Sequence, residues 1–332
     1  MSNLFSVIVP VYNRPVEVDE FLASLTTQTD RDFEVVIVED GSTEDCKEEI
    51  EKYRDELVIN YFYKQNTGPG DSRNYGMQRA KGDYFLIFDS DCIIPQGYIE
   101  EVRRELDEAY VHCFGGPDAA HESFSTIQKA IDYAMTSFWT TGGIRGRAKS
   151  LTRFQPRSFN MGLSREVFEK TGGFRDIHPG EDPDLSLRIW DMGYDTRLFP
   201  GAYVYHKRRI SFSKFRTQVH KFGLVRPILN KWHSGSGKIT YWLPFLFILF
   251  SFFSLLGAVF IDWVLILPVL FYALLLLGDA LYKTGNFRVA VYALFAGFIQ
   301  LYSYGWGFFR SWLKVHLLKR NIRTTFPQLF FN

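Results

Sequence analysis

Residues 84–91 read Tyr-Phe-Leu-Ile-Phe-Asp-Ser-Asp, a run of aromatic and aliphatic side chains that ends in two carboxylates. The run is apolar on both faces, which is typical of a strand in a parallel sheet covered by helices. Three similar runs precede it, at Phe5–Val11, Glu34–Val38 and Val58–Tyr63. Polar stretches of helical character alternate with these runs, and the alternation predicts a doubly wound, mostly parallel α/β sheet of Rossmann-like form. Ligands in such sheets bind beyond the carboxyl ends of the strands.

The predicted helices lie between and after these strands. They cover Pro15–Thr27, Glu44–Arg54, Asp71–Ala80, Gln96–Ala109, Ser164–Thr171 and Asp184–Met192. Residues 116–160 are less regular and include glycines and arginines close together, at Gly142, Gly143, Arg145, Gly146 and Arg147. We interpret that region as a strand-poor insertion that shapes a substrate cleft.

The charge of the 332-residue chain is nearly balanced, with 38 basic and 37 acidic side chains. Its three cysteines, Cys46, Cys92 and Cys113, are scattered and lack the spacing of metal ligands, which suits a reducing compartment. The N-terminal residues lack the basic segment and long apolar stretch of a signal peptide. We therefore expect the first domain in the cytoplasm and no nucleic-acid partner.

Residues 201–240 form a basic stretch, with nine Lys or Arg and no Asp or Glu. Within it, Ser211–Leu229 carries apolar side chains at helical spacing, at Phe212, Phe215, Val219 and Phe222. This pattern predicts a basic amphipathic helix that lies on an anionic membrane surface. An ordinary solvated helix is the alternative.

Three apolar segments follow, at Tyr241–Ile261, Trp263–Leu281 and Val289–Phe309, and residues 241–309 contain only four charged side chains. Each segment is close to the ~20 residues that cross a bilayer as a helix. Both the 201–240 stretch and the 310–332 tail are basic, so the positive-inside rule places both in the cytoplasm. Three crossings cannot satisfy both preferences, and the sequence leaves two or three crossings open.

The first acidic centre is Asp89-Ser90-Asp91, directly after the predicted strand. Two carboxylates at this spacing can hold a hard divalent cation, Mg²⁺ or Mn²⁺, together with the diphosphate that it neutralises. Asp-x-Asp alone is a weak signal because turns are rich in Asp. Its position at the end of an α/β strand is what favours a metal site.

Three further motifs follow strand ends. Val9-Pro10-Val11-Tyr12-Asn13 offers an aromatic face, and Glu39-Asp40-Gly41-Ser42 offers a carboxylate for a nucleobase or ribose, with a helix N-cap as the alternative. The turn from Asn66 through Gly68 to Arg73 can bind a diphosphate through backbone amides and the guanidinium. It matches neither the Rossmann nor the Walker A pattern.

The second acidic centre is Gly180-Glu181-Asp182-Pro183-Asp184, followed by Arg188. Its carboxylates suit a helix N-terminus, where the helix dipole stabilises them. A general base for sugar transfer also requires a carboxylate held in this way.

Together these motifs resemble the inverting glycosyltransferases of family 2, which have the GT-A fold. The resemblance spans roughly residues 5–230, with the motifs in the family's order. It implies that Pro10, Tyr12, Asp40, Gly68, Arg73 and Asp89 bind a nucleotide-diphosphate sugar, with uracil or another pyrimidine as the expected base. It implies that Asp91, Asp89 and His206 hold Mn²⁺ or Mg²⁺ and that Asp182 is the catalytic base. Glu181, Asp184 and Arg188 are expected on the acceptor side.

The resemblance also bears on the product. Processive members carry Gln-x-x-Arg-Trp, whereas this chain has Gln218-Val-His-Lys221-Phe222, so we expect transfer of one or a few sugars. A nucleotidyltransferase is a poorer match, because Tyr12-Asn13-Arg14-Pro15 follows the first strand instead of a glycine-rich basic loop. A membrane scaffold that binds the nucleotide sugar without turnover is the other alternative.

From these observations we expect a GT-A domain over residues 1–205 and a basic interfacial helix over 206–240. Two or three transmembrane helices over 241–309 and a basic tail over 310–332 complete the predicted order. The expected partners are a nucleotide-sugar donor, a glycan or polyprenyl-linked acceptor, and the lipid bilayer. The expected location is the cell membrane, with the catalytic domain in the cytoplasm.

Overall fold

The computed structural model describes residues 4–119, 124–141, 154–206 and 211–331. The chain divides into two compact units. Unit 1 comprises Met1–His121, Lys149–His206 and Phe330–Asn332, and unit 2 comprises Glu122–Ala148 and Lys207–Leu329. The glycines and arginines at 142–147 lie outside the described residues.

A mixed sheet of seven strands forms the centre of unit 1. Its strands in chain order are β1 (Phe5–Val11), β2 (Phe33–Asp40), β3 (Ile59–Lys64), β4 (Tyr84–Phe88), β6 (Cys113–Gly115), β8 (Asn160–Ser164) and β9 (Thr196–Leu198). Their order in the sheet is β3-β2-β1-β4-β8-β6-β9. The first four strands are mutually parallel, and β8 is antiparallel to both neighbours. The predicted mostly parallel α/β sheet is therefore confirmed.

Helices cover this sheet. Those of unit 1 are α1 (Pro15–Thr26), α2 (Lys47–Glu51), α3 (Pro69–Arg79), α4 (Tyr98–Glu108), α7 (Arg165–Thr171) and α8 (Glu181–Asp191). Strand β2 shows why its run is apolar throughout, since Val35 and Ile37 join one core cluster while Val36 and Val38 join another. Successive side chains of a strand point to opposite faces, and here both faces are buried.

A second, small sheet brings together three short strands, β5 (Cys92–Ile93), β7 (Asp118–Ala119) and β10 (Val204–His206). His206 pairs with Cys92 in the antiparallel register between β10 and β5. This pairing carries His206 to the residues that directly follow Asp91, although 114 positions separate Cys92 from His206 in the sequence.

The predicted helices differ from the observed ones by one or two residues at most ends, and two of them begin three residues away from the predicted start. Helix α2 begins at Lys47 instead of Glu44, because the Asn13 Oδ1 accepts hydrogen bonds from the backbone amides of Thr43 and Glu44 and holds them in a loop. Helix α8 begins at Glu181, three residues before the predicted start. The helix dipole stabilises acidic side chains in the first turn, and a proline is tolerated there because the first amides have no partner within the helix.

Unit 2 is helical in its described residues, with α5 (Thr126–Thr136), α6 (Phe138–Thr141), α9 (Phe212–Trp232), α10 (Leu243–Phe260), α11 (Leu267–Thr284), α12 (Phe287–Trp312) and α13 (Ile322–Thr325). Three helical segments are long and apolar enough to cross a membrane, at Ile239–Phe260, Trp263–Thr284 and Phe287–Leu317. The third has the lowest mean hydropathy, 1.2 against 2.4 for the others.

Helix α9 corresponds to the predicted basic amphipathic helix. Its Phe215 and Val219 are fully buried in a cluster that includes Ala296 of α12. The apolar stripe that the sequence assigned to a membrane surface is thus largely covered by other helices of unit 2.

Candidate active site

Asp40, at the end of β2, organises a turn. One carboxylate oxygen accepts hydrogen bonds from Lys64 Nζ at 2.6 Å and the Thr67 amide at 3.0 Å, and the other accepts from the Gly68 amide at 2.9 Å. Asp40 and Lys64 are register partners at the ends of β2 and β3. The buried carboxylate therefore fixes the turn that leads into α3 at the carboxyl edge of the sheet.

The motif after β1 lies at the same edge. Pro10 is paired with Val38 in the β1–β2 register, and Tyr12 follows the strand with 51% of its surface exposed. Asn13 adopts a φ of 52° and receives the amides of the loop after β2, while its own amide donates to Ser42 Oγ at 2.8 Å. These bonds hold the loops after β1 and β2 together beside the exposed ring of Tyr12.

Arg73 of α3 connects the two acidic centres. Its Nη2 donates to Asp89 at 2.6 Å, and its Nη1 lies 3.4 Å from Glu181. The guanidinium also lies 5.3 Å from the centre of the Phe174 ring, and only 2% of Arg73 is exposed. Among the described residues its Nε has no hydrogen-bond partner. A buried, permanently charged group thus joins carboxylates from two distant parts of the chain.

Glu181 also binds a histidine. The His178 Nδ1 lies 2.8 Å from the Glu181 carboxylate. Burial alone would raise the pKa of Glu181, but the charges of His178 and Arg73 outweigh it and lower that pKa to about 2. Burial opposes the charged imidazole too, yet the Glu181 carboxylate raises the pKa of His178. Glu181 is therefore ionised at neutral pH and engaged with cations.

Asp182 differs from its neighbour. Its burial, and next the charge of Glu181, raise the pKa of Asp182 to about 6, against the opposing charges of Arg73 and Arg157. Its Oδ1 is shielded from solvent and has no hydrogen-bond partner within the described ranges. A carboxylate with a pKa near neutrality and a free oxygen suits proton abstraction.

Asp184 and Arg188 bond to each other and to backbone groups of the protein. Asp184 is fully buried and accepts from Arg188 Nε at 2.9 Å. The other guanidinium nitrogens of Arg188 donate to the carbonyls of Thr171 and Gly173, at 2.7 and 2.6 Å. This pair fastens α8 to the end of α7, and each of these contacts is internal to the protein.

Asp91 lies between the side chains of Arg14 and His206. Its Oδ1 is 3.2 Å from the Nε2 of His206, and its Oδ2 accepts a hydrogen bond from Arg14 at 2.7 Å. The His206 ring stacks on Phe159, with 4.6 Å between ring centroids. Ligand atoms of Asp91, Cys92 and His206 all lie within 4.8 Å of one another.

The sequence profile described as Glycosyl transferase family 2 matches residues 6–172, half of the chain. An uncharacterized glycosyltransferase of Haemophilus influenzae is 42% identical over 230 residues, which cover 66% of this chain and 74% of that protein. The chain belongs to glycosyl transferase family 2. Its fold is also similar to that of a Pyrobaculum calidifontis mannosyltransferase solved with GDP-Man and Mn²⁺, with a TM-score of 0.58 at 17% identity over 97% of this chain and 89% of that one.

Other relatives of this family 2 chain match it over shorter stretches. The GalNAc(5)-diNAcBac-PP-undecaprenol beta-1,3-glucosyltransferase of Campylobacter jejuni is 32% identical over 113 residues, which are 33% of this chain and 37% of that enzyme. An uncharacterized glycosyltransferase of Rickettsia bellii is 38% identical over 103 residues, 31% of this chain and 15% of its own length. The chain therefore spans well under half of the length of these two relatives.

The residues around Asp91 fit the divalent cation that the family implies. A carboxylate oxygen and an imidazole nitrogen lie close together, and both are ordinary ligands of Mn²⁺. Mn²⁺ and Mg²⁺ prefer oxygen and nitrogen ligands to the soft sulfur of a thiol, so Cys92 is the poorest ligand of the three residues. Asp89, which the sequence also assigned to the metal, has Arg73 as its close partner.

Three residues of the site escaped the sequence motifs. Arg14 and His178 contact carboxylates of the two acidic centres, and Cys92 lies beside Asp91 and His206. Arg14 follows the first strand directly, and its place beyond a strand end is the signal that marks it. His178 precedes the second acidic centre by three positions and has no pattern of its own.

Proposed function

We propose that this family 2 chain is an inverting, metal-dependent glycosyltransferase that takes its sugar from a nucleotide-diphosphate donor, a UDP-sugar. The acceptor is a hydroxyl of a cell-envelope glycan or of a polyprenyl-linked glycan. The observation that carries the proposal is the Arg73 guanidinium, which contacts Asp89 of one acidic centre and Glu181 of the other. It brings a leaving-group side and a base side into one site.

The donor binds at the carboxyl edge of the sheet. Tyr12 provides the aromatic face, Asp40 serves the nucleoside, and the turn at Gly68 together with Arg73 serves the diphosphate. Support comes from the bonds of Asp40 to the Thr67 and Gly68 amides, which preform that turn before any ligand arrives. A preformed turn loses less conformational freedom on binding.

The reaction is a direct displacement at the anomeric carbon. The acceptor oxygen forms a bond to that carbon while its proton passes to the Asp182 carboxylate. The bond from the carbon to the diphosphate oxygen breaks, and the nucleoside diphosphate leaves with the electron pair. Because attack comes from the face opposite the leaving group, the configuration inverts. Arg73 stabilises charge on the leaving diphosphate, and preorganised charge of this kind is usually the largest catalytic effect.

Asp91 and His206 are the residues proposed to hold the cation. When bound there, Mn²⁺ or Mg²⁺ supplies positive charge opposite the leaving diphosphate. We propose that Asp89, which bonds to Arg73, serves donor binding and would also help to hold the cation.

The acceptor and the location follow from unit 2. We propose the cell membrane as the location, which is supported by three helical segments long and apolar enough to cross a bilayer. A relative named for an undecaprenol-linked acceptor supports a lipid-linked glycan as the proposed substrate class. The catalytic unit is proposed to face the cytoplasm, where nucleotide sugars are made. Unit 1 is the proposed catalytic domain.

The test is release of nucleoside diphosphate from a panel of UDP- and GDP-sugars by the full chain in detergent, with lipid-linked and soluble glycan acceptors. Acceptor-dependent release that falls by about 100-fold or more in Asp182→Asn is expected for a catalytic base. Asp191→Asn, the same change on the exposed end of α8, is the matched control and keeps the parent rate. Donor binding without release in any combination would indicate a scaffold, and full activity of Asp182→Asn would remove the base assignment.

A further inference from the structure

Arg14 bonds directly to the carboxylate proposed for the metal. Its Nη1 lies 2.7 Å from Asp91 Oδ2, and its next acidic neighbour, Glu17, is 3.8 Å away. Asp91 is 8% exposed, so this bond forms at a largely desolvated carboxylate. Desolvation lowers the pKa of Arg14, but the charge of Asp91, its hydrogen bond and the charges of Glu17 and Asp89 together raise that pKa above its ordinary value. Arg14 thus neutralises Asp91.

A guanidinium and a divalent cation cannot use the same carboxylate equally well at once. Both draw on the lone pairs of Asp91, and like charges at such short range repel strongly away from bulk water. Metal at Asp91 Oδ1, beside His206, would bring its charge close to the Arg14 guanidinium on Oδ2 of the same carboxylate. This repulsion favours release of the guanidinium and raises the free energy of binding metal alone.

The side chain of Arg14 is less constrained than that of Arg73, the second arginine of the site. The Arg14 side chain is 35% exposed and begins helix α1 without any side-chain cap bond. Arg73 is 3% exposed in its side chain and is held by two carboxylates and the Phe174 ring. A displaced Arg14 needs a new anion, and a diphosphate accepts its forked donors in the bidentate manner that guanidinium favours.

We infer that Arg14 links metal binding to donor binding: it occupies Asp91 in the empty site and passes to the donor diphosphate when the metal takes Asp91. The inference rests on the proposed function. Its consequence is reciprocal coupling, in which UDP strengthens Mn²⁺ binding and Mn²⁺ strengthens UDP binding by the same factor. Metal therefore binds at Asp91 mainly when the donor is bound as well.

The experiment measures Mn²⁺ binding by electron paramagnetic resonance on the full chain in detergent, with and without UDP. For Arg14→Ala we expect about tenfold tighter binding of Mn²⁺ alone and a coupling to UDP that is reduced by about the same factor. Arg14→Lys keeps the charge, so its affinity for Mn²⁺ alone should fall between those of the parent protein and Arg14→Ala. Circular dichroism verifies that each variant is folded. Arg104→Ala removes an exposed arginine of unit 1 and serves as the control.

The outcomes distinguish a failure of the role of Arg14 from a failure of the proposed metal site. Equal or weaker binding of Mn²⁺ alone by Arg14→Ala, with coupling intact, overturns the role of Arg14 and leaves the proposed function standing. Absence of Mn²⁺ binding by the parent protein in the presence of UDP overturns both the inference and the proposed metal site.

Discussion

The guanidinium of Arg73 lies 3.4 Å from the carboxylate of Glu181, which is 108 positions further along the chain. The same guanidinium binds Asp89 at 2.6 Å, so one buried charge spans the ends of both acidic motifs. Two consequences are measurable, one for catalysis and one for the ionisation of the base.

Arg73→Lys should lower kcat by about 100-fold, because a lysine keeps the charge but loses the fork that reaches both carboxylates. Steady-state release of nucleoside diphosphate measures the loss. Arg79→Lys, at the exposed end of the same helix, makes the same chemical change outside the site and should keep the parent kcat. A parent-like rate for Arg73→Lys would show that positive charge alone suffices.

Asp182 should give the activity an ascending limb near pH 6. A base acts in its deprotonated form, so kcat/KM falls as the pH drops below the pKa of about 6. Because the Glu181 charge raises that pKa, Glu181→Gln should move the limb to lower pH. A pH profile of both proteins checks the direction, and a limb that moves upward contradicts this electrostatic account.

His178→Gln should destabilise the protein most at mildly acidic pH. Glu181, with its lowered pKa, adds stability above its ordinary value of 4.5 and loses it as the pH falls towards 2. His178, with its raised pKa, adds stability below its ordinary value of 6.5 and loses it as the pH rises through the folded-state pKa. The pair is therefore strongest between these values. Thermal melts should show a larger loss of Tm at about pH 5.5 than at about pH 9, because the contribution of His178 is lost as the pH rises through its folded-state pKa.

His206→Ala should weaken Mn²⁺ binding by about tenfold or more, since it removes one of the two proposed ligands. His112→Ala, which removes a histidine hydrogen-bonded to Ser164 elsewhere in unit 1, is the control. Isothermal titration with Mn²⁺ and UDP measures the change, and equal affinities for the two variants would exclude His206 as a ligand.

Gly68→Ala should cost about 1–3 kcal/mol of stability, because its φ of +95° is poorly accessible to other residues. An added Cβ would also lie 2.3 Å from the Phe331 ring. Gly97→Ala is the matched control, since a Cβ there meets no atom within 4 Å. Chemical denaturation of both variants gives the comparison, and an unchanged midpoint for Gly68→Ala would argue against the packing of Phe331 on this turn.

The strand bounds were predictable where local pattern and burial agree. Phe5–Val11 and Tyr84–Phe88 match the observed β1 and β4, because both faces of these strands are buried and their sequences are apolar throughout. The start of α2 was not, because Asn13 holds the preceding amides from a different part of the chain. Local sequence carries no record of such a contact.

The candidate site divides in the same way. Asp89 was a candidate from its motif after a strand and Asp182 from its motif at a helix start. The Arg14–Asp91 bond, in contrast, joins residues 77 positions apart and depends on how the loops after β1 and β4 meet. The motif also did not predict the ion pair between Asp184 and Arg188. Residues that pair within a helix and residues that contact an acceptor look alike in sequence.

Unit 1 includes Phe330–Asn332, which follow the apolar helices in the sequence. Phe330 forms an antiparallel bridge with Ile177, and the Phe331 amide lies 3.3 Å from the Asp176 carbonyl, next to the loop that carries His178. A fragment ending at residue 206 would keep every side chain proposed for chemistry yet leave Gly68 uncovered and this bridge unmade. The ribosome adds Phe331 after the residues of the apolar helices, so the catalytic unit can gain this wall only once those helices have been synthesised.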